Sequence, residues 1–288
     1  MCKLRILIAR SIFCPDDENY DISINGLLSL FDFLTSINND KVEFSLFVTG
    51  WIKKQYSQYF LNVIELNKGL FQTVEHKIWF INYGKYRILN EIKQIANSYD
   101  SVFYSDHDIK VSLNHYGNVN FFTDMQNAFN NEVNNKKIGL IALNHTEDIR
   151  HQYDIYQNCI KIKDTEYVYP DDGNLSSIAC GCFYINGNNF FEIKQFKLHS
   201  VYGLDDYYLL KYLYYKNIAS VVIKNTYIIH PFCKNNVYNL WKTNKIKLLI
   251  NDKHSEHNKQ IKNNYFMDIQ ETNNLWNNLN NDTSTILS

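Results

Sequence analysis

Up to Tyr104 the chain alternates short apolar, β-prone runs with segments of helical periodicity, and this alternation restricts its fold more than any other feature. Strands that alternate with helices pair in parallel, through right-handed crossovers. The sequence therefore predicts an α/β fold with a mixed, mostly parallel sheet flanked by helices. Its predicted strands span residues 4–9, 42–48, 77–82 and 101–104, and its predicted helices span 24–37, 55–64 and 83–97. Residues 14–20 are expected to form a loop, Thr49-Gly50 a turn and 111–122 a loop and a strand, whereas 145–172 show no clear period. Two further helices are predicted at 240–250 and 261–279.

Two aspartates follow the last of these strands, in the segment Ser105-Asp106-His107-Asp108. In open α/β sheets, ligands bind outside the carboxyl ends of the strands. Carboxylates at positions i and i+2 of a turn can both face one divalent cation, which could clamp a diphosphate. The plain alternative is a solvated turn, because Asp and Ser are common turn residues.

A second pair of aspartates, Asp205 and Asp206, opens a predicted helix near the end of the segment 177–215. That segment begins with a strand of small residues around Gly181 and continues through a predicted helix at 190–196. Carboxylates are favoured at helix N-termini, so capping is the structural explanation for the pair. Capping alone needs only one aspartate, which leaves a catalytic or acceptor-binding role open for the other.

Both segments resemble the signature of a known enzyme family. The first carries K-x-x-x-L-N on its helix, from Lys85 to Asn90, and then S-D-x-D. The second carries a glycine strand, the aromatic-glycine pair Tyr202-Gly203 and G-x-D-D, where the family has G-x-[ED]-D. In these features the chain resembles GT-A glycosyltransferases, especially the β-1,4-galactosyltransferase-like family. It differs from that family in Cys180 and Cys182, which flank Gly181 where a second glycine is usual.

The resemblance implies a GT-A fold and a metal-dependent hexosyltransferase that uses a UDP-sugar donor. It also implies a divalent cation held by Asp108, His230 and Asp106, and this mixture of carboxylate and imidazole suits Mn²⁺ better than Mg²⁺. His230 follows a strand predicted at 219–229. The residues that the resemblance assigns to the donor are Arg10, Lys85, Asn90, Asp106, Gly181 and Tyr202.

By the same resemblance, Asp206 acts as the general base on the acceptor hydroxyl in an inverting reaction, and Asp205 orients the acceptor. The acceptor itself, whether a glycan, a protein or another hydroxyl compound, stays open. Three alternatives also stay open: a retaining transferase of the same fold, a non-catalytic nucleotide- or sugar-binding protein, and a two-metal phosphodiesterase or nucleotidyltransferase.

Several candidate residues have structural alternatives. Arg10, at the end of the first predicted strand, could form an ion pair with one of the acidic residues that follow, Asp16, Asp17 and Glu18. Lys85 and Asn90 could belong to the polar face of their helix. His230 could be a structural histidine, since a lone histidine after a strand is more often structural than a ligand.

Composition narrows the class of protein further. With a net charge of −1 over 288 residues, the chain has no overall field that would attract nucleic acid or an anionic membrane. Its six cysteines lack zinc-ligand spacing and are expected to be reduced. Neither a signal peptide nor a membrane span is predicted, which favours a cytoplasmic location. We expect one catalytic domain at 1–250, with a nucleotide-binding half at 1–110 and an acceptor and metal half at 111–250, followed by a helical tail at 251–288.

Overall fold

The computed structural model of the chain describes residues 3–14, 17–37, 40–80, 85–111, 117–147, 150–151, 158–170, 178, 180–193 and 205–229. These residues form one mixed sheet with helices packed on both of its faces. Among the helices of these ranges, none combines the length and the hydrophobicity needed to cross a lipid bilayer.

The amino-terminal part of the sheet follows the predicted alternation of strands and helices. A single short 3₁₀ turn, Lys68–Leu70, interrupts it. The elements are β1 (Leu4–Cys14), α1 (Asp17–Ile37), β2 (Val42–Ile52), α2 (Lys54–Leu66), β3 (Val74–Trp79), α3 (Lys85–Ala96) and β4 (Ser101–Ser105).

The carboxyl-terminal part contains more strands and shorter helices. Its elements are β5 (Lys110–Val111), α4 (Phe121–Ala128), β6 (Glu132–Val133), β7 (Lys136–Glu147), β8 (Arg150–His151), β9 (Asn158–Ile162), β10 (Thr165–Tyr169), β11 (Cys182–Asn186), α5 (Gly187–Glu192), α6 (Asp205–Tyr215) and β12 (Ile218–Ile229).

The order of the main strands is β3-β2-β1-β4-β11-β7-β12-β10-β9. Strands β1 to β4 are parallel to one another, whereas β11 runs antiparallel to both of its neighbours, β4 and β7. The chain moves outward from β1 to β3 and then returns to place β4 on the other side of β1. This reversal is a topological switch point, where α/β sheets bind ligands. Arg10 of β1 and Ser105 of β4 lie side by side there.

Alternate residues of the central strands point to opposite faces of the sheet, as the pleat requires. Ile6 and Ile8 of β1 pack into a core formed with α1, α2 and α4, while Leu7 and Ala9 pack into a second core with α3, α5 and α6. Both faces are buried, which explains why these strands are apolar along most of their length. The predicted α/β fold class is confirmed.

Some predicted boundaries in the first half are wrong. Helix α1 begins at Asp17, inside the segment 14–20 that was expected to be a loop. Thr49 and Gly50, expected to form a turn, continue β2. Gly50 adopts a φ of 146°, and a Cβ there would lie 2.8 Å from the backbone nitrogen of Ile12. A glycine therefore allows β2 to remain paired with β1, where a side chain would not fit.

Other differences concern the second half. The segment 111–122 was expected to form a loop and a strand, but helix α4 begins at Phe121 and packs its two phenylalanines into the core. Residues 145–172 had no assignable periodicity, yet they contain the hairpin of β9 and β10. The helices predicted at 240–250 and 261–279, together with the tail at 251–288, lie outside the described residues.

Candidate functional site

The acidic turn, residues 105–109, lies at the carboxyl end of β4 beside the switch point. The amide of Asp106 donates a hydrogen bond to the Gly181 carbonyl over 2.7 Å, and the amide of Ile109 donates to the Asp106 carbonyl over 3.2 Å. The first bond ties the turn to the segment that enters β11, and the second closes the turn on itself. The backbone of the turn is thus fixed from two sides.

Lys85, the first residue of α3, connects the two acidic segments. Its ammonium nitrogen lies 3.0 Å from Oδ2 of Asp106 and 3.4 Å from Oδ1 of Asp206. The Lys85 and Asp106 side chains are only 17% and 22% exposed, so this ion pair is shielded from bulk water more than surface pairs are. The structure therefore brings Lys85, Asp106 and Asp206 into one cluster.

Asp106 is anchored by its neighbours in β4 and β1. The Tyr104 hydroxyl donates a hydrogen bond to Asp106 Oδ1 over 2.5 Å, and the Ser11 hydroxyl lies 3.4 Å from the same oxygen. Burial, together with the charge of Asp106, raises the pKa of Tyr104 well above its ordinary value, so the phenol stays protonated as a donor. The Tyr104 ring also stacks on Phe183 and lies 5.6 Å from the Lys85 ammonium.

Asp206 occupies the first turn of α6, as the sequence predicts. Its Oδ2 atom accepts a hydrogen bond from the backbone amide of Cys180 over 3.1 Å, and its Oδ1 atom faces Lys85. Both carboxylate oxygens thus contact groups outside α6, so helix capping alone does not account for this residue. Asp205 begins the helix, but its side chain lies outside the described part of the chain.

Arg10 lies beneath the acidic turn and is only 1% exposed. Its guanidinium donates hydrogen bonds to Ser105 Oγ at 2.9 Å, the Ile109 carbonyl at 3.1 Å and the His107 carbonyl at 2.5 Å. Strand β1, predicted to end at Ala9, continues to Cys14, which places Arg10 inside the sheet. This position does not support the predicted contact with a donor.

Asp108, the predicted cation ligand, is the second carboxylate of the acidic turn. It lies at the same edge as Asp106, with Oδ1 4.0 Å from Nδ1 of His107. The His107 ring packs on Phe13, with ring centroids 5.3 Å apart. A carboxylate at this edge fits a hard or borderline divalent ion.

Within the described residues, no group of three or more His, Cys, Asp and Glu side chains meets at one point. His230, the predicted third ligand, and Tyr202, a predicted donor contact, lie outside those residues. Gly181 is at the site through its carbonyl, and Asn90 lies on the second turn of α3. Arg87, two positions after Lys85 on α3, pairs with Glu91 at 2.9 Å.

Three residues of the site were missed by sequence reasoning: Tyr104, Ser11 and Cys180. Tyr104 precedes Asp106 by two positions, so strand alternation places their side chains on the same face of the sheet. That pattern was a usable signal. The Ser11 and Cys180 contacts depend on how the strands align across the sheet, and sequence spacing alone does not carry this information.

The solved structures that resemble the chain include the following two. One is GalNAc-T7 with UDP, GalNAc and Mn²⁺, at a TM-score of 0.52 and 13% identity, covering 80% of this chain and 44% of the other. The second is the mannosyltransferase PcManGT from Pyrobaculum calidifontis with GDP-Man and Mn²⁺. It has a TM-score of 0.52 and 10% identity, and the match covers 91% of this chain and 68% of the other. The chain has a GT-A-like fold.

This chain spans less than half the length of GalNAc-T7, and identities of 13% and 10% establish likeness of fold only. No protein-family profile matches the sequence. No curated protein matches it either. The β-1,4-galactosyltransferase-like resemblance therefore remains a prediction, within a GT-A-like fold that the structural neighbours support.

Proposed function

We propose that the chain is a divalent-metal-dependent glycosyltransferase of the hexosyltransferase type, which moves a sugar from a UDP-sugar to a hydroxyl acceptor. The observation that carries this proposal is the Lys85 bridge between Asp106 and Asp206. It joins the predicted donor turn to the predicted base at the switch point of a GT-A-like sheet. The presence of Mn²⁺ with UDP or GDP-Man in the two structural neighbours supports a cation and a nucleotide-sugar donor.

In this proposal Asp108 and His230 would hold the divalent cation, and Asp106 would face the ribose or a water of the cation. Once bound, such a cation neutralises the negative charge that develops on the leaving diphosphate. Lys85 stands beside both aspartates with a single positive charge, so its ammonium can exchange a carboxylate contact for a diphosphate oxygen. The hydrogen bonds from Tyr104 and Ser11 keep Asp106 in place during that exchange.

Asp206 is the proposed general base. A bond forms between the acceptor oxygen and the anomeric carbon while the bond from that carbon to the diphosphate oxygen breaks. The acceptor proton passes to the Asp206 carboxylate, and the configuration of the sugar inverts. The Cys180 amide holds one oxygen of Asp206 and leaves the other near Lys85. Asp205, at the start of α6, is proposed to orient the acceptor.

One observation favours a second candidate, a retaining transferase of the same fold. The Asp206 carboxylate already contacts the Lys85 ammonium at 3.4 Å and the Cys180 amide at 3.1 Å, so both of its oxygens have partners before an acceptor binds. In a retaining enzyme Asp206 would orient the donor or the acceptor without acting as the base. The donor turn and the cation would have the same roles in both mechanisms.

The proposal is tested by a screen of UDP-sugars and GDP-sugars for Mn²⁺-dependent hydrolysis, followed by NMR of the first-formed sugar anomer. We expect turnover of at least one UDP-sugar, loss of turnover in excess chelator, and an inverted anomer. A retained anomer would select the second candidate. Hydrolysis of none of these donors, with no Mn²⁺-dependent binding of UDP, would contradict both candidates.

A further inference from the structure

Arg10 has a neighbour that explains how a buried guanidinium fits beneath the acidic turn. Gly26, in the interior of α1, faces it directly. A Cβ at this position would collide with the Nη2 atom of Arg10, and it would lie 2.8 Å from the Ile109 carbonyl oxygen and 2.9 Å from that of His107. Glycine is less favourable than alanine inside a helix, so its presence here needs a packing reason. That reason is the close approach of α1 to Arg10 and the turn.

All the side-chain hydrogen bonds described for Arg10 end on the acidic turn. Two of its three acceptors are main-chain carbonyls, at His107 and Ile109, and the third is the Ser105 hydroxyl. A guanidinium presents its donors in a rigid, planar fork, so three contacts at once fix the relative positions of three residues. The residues held in this way flank Asp106 and Asp108 on both sides.

The charge of Arg10 is also matched to the turn. Burial lowers the pKa of Arg10 to about 10, and the negative charges of Asp108 and Asp106 are among the effects that oppose this shift. A buried cation costs free energy unless nearby charges and hydrogen bonds compensate it. The turn supplies both, so the fold retains a charged residue where an apolar one would be easier to bury.

We propose that Arg10, seated against Gly26, is a positioning residue that fixes the backbone of the acidic turn and thereby aims the carboxylates of Asp106 and Asp108. The expected consequence of this role is tight binding of the cation and the donor diphosphate, and that consequence rests on the proposed function. The orientation of the two carboxylates is itself a property of the protein without ligand.

Two variants that keep the charge of Arg10 separate geometry from electrostatics. Arg10→Lys retains the positive charge but replaces the fork with a single ammonium, which cannot span the three acceptors. Gly26→Ala leaves Arg10 intact and pushes against its guanidinium and the turn from the side of α1. Neither variant removes a residue that is proposed to contact the donor.

Two glycine variants are matched controls for Gly26→Ala. Gly139→Ala would place a Cβ 2.6 Å from the Asn189 side chain. Gly139 lies near the amino end of β7, at the end of the strands opposite the acidic turn. This variant should lower the melting temperature without moving the turn. Gly69→Ala would add its Cβ where no atom lies within 4 Å, and it should change neither the melting temperature nor the position of the turn.

Three quantities are measured for each protein: the melting temperature, the hydrogen-exchange rate of the amides of 105–111 without ligand, and the Kd for UDP in Mn²⁺ by calorimetry. We expect both Arg10→Lys and Gly26→Ala to speed exchange in 105–111 at least about tenfold and to weaken UDP binding by about tenfold, a coupling of the usual size between neighbouring groups. Gly139→Ala should leave exchange in 105–111 and the Kd unchanged, whatever its melting temperature.

Wild-type exchange rates in 105–111 for both variants would overturn the positioning role, and so would equal losses of affinity in Gly139→Ala and Gly26→Ala at equal melting temperatures. If one variant does not fold, the other still decides. Absence of UDP binding by the wild-type protein would overturn the proposed function, while the exchange rates would still report whether Arg10 fixes the turn.

Discussion

The ammonium of Lys85 lies 3.4 Å from the carboxylate of Asp206, although 121 residues separate the two in the chain. The same ammonium is 3.0 Å from Asp106. One cation thus stands between the residue proposed to contact the donor and the residue proposed to activate the acceptor. The ion pairs place both at a single edge of the sheet, and in the proposed function Lys85 is the side chain that a bound diphosphate would draw away.

Replacing Lys85 by methionine should weaken UDP binding in Mn²⁺ by about tenfold to a hundredfold, because a hydrogen bond to a charged group contributes about 1.5–3 kcal/mol. Calorimetry measures the loss. Lys93→Met is the matched control, since Lys93 lies on the same helix and its ammonium packs 5.2 Å from the Phe191 ring centroid. Equal affinities for the two variants would remove Lys85 from the donor site.

Asp206→Asn should reduce transfer to an acceptor by about a hundredfold or more, because the amide cannot accept the proton. Its side-chain oxygen can still accept the hydrogen bond from the Cys180 amide, so the melting temperature should change little. Asp164→Asn, at an exposed turn, controls for the loss of one negative charge. Near-normal transfer by Asp206→Asn, with an unaltered linkage in the product, would favour the retaining candidate.

Tyr104→Phe removes the hydroxyl that holds Asp106 and should lower the free energy of unfolding by about 1.5–3 kcal/mol, the range for a lost hydrogen bond to a charged acceptor. UDP binding should weaken as well, because Asp106 loses its anchor. Tyr184→Phe is the control: Tyr184 is equally buried, lies on β11 and donates to Gln126 over 2.9 Å. Denaturant unfolding and calorimetry should find a stability loss in both variants and a binding loss in Tyr104→Phe alone.

Sequence reasoning worked best where a single pattern determined the outcome. Apolar runs alternating with helical periodicity predicted the first four strands, and Asp205 begins α6 as expected. The proximity of Asp106 and Asp206 was expected only from a resemblance. Physically, it depends on Lys85, at the start of α3, and on the Cys180 amide, whose position follows from the pairing of β11 with β4.

The failures have equally specific causes. The first strand was predicted to end before Arg10, and a charged residue is rarely buried. The strand continues because the carbonyls of the acidic turn accept hydrogen bonds from the buried guanidinium. Helix α4 lies among asparagine-rich segments that read as loops. Strands β9 and β10 form a hairpin at the edge of the sheet, and the partly exposed residues of β9 gave no clear period.

The cysteines should differ sharply in reactivity. Burial raises the pKa of Cys182, and the nearby Arg10 charge offsets this only in part. A raised pKa means that less thiolate is present at any given pH, so Cys182 should resist alkylation at pH 8 in the native protein. Cys159 is exposed and should react before Cys182. Mass spectrometry after brief iodoacetamide treatment distinguishes them; equal labelling of Cys182 and Cys159 would contradict its burial.

The proposed cation site makes UDP binding depend on a divalent ion, and calorimetry of UDP with the wild-type protein tests this most directly. The titration is run in Mn²⁺ and again in excess chelator, with Asp108→Ala as the variant that removes the proposed carboxylate ligand. We predict a Kd at least about tenfold weaker in chelator, an ordinary size for coupling between two ligands, and an Asp108→Ala protein that binds UDP weakly in both conditions. UDP affinity that is the same with Mn²⁺ and with chelator would contradict the account.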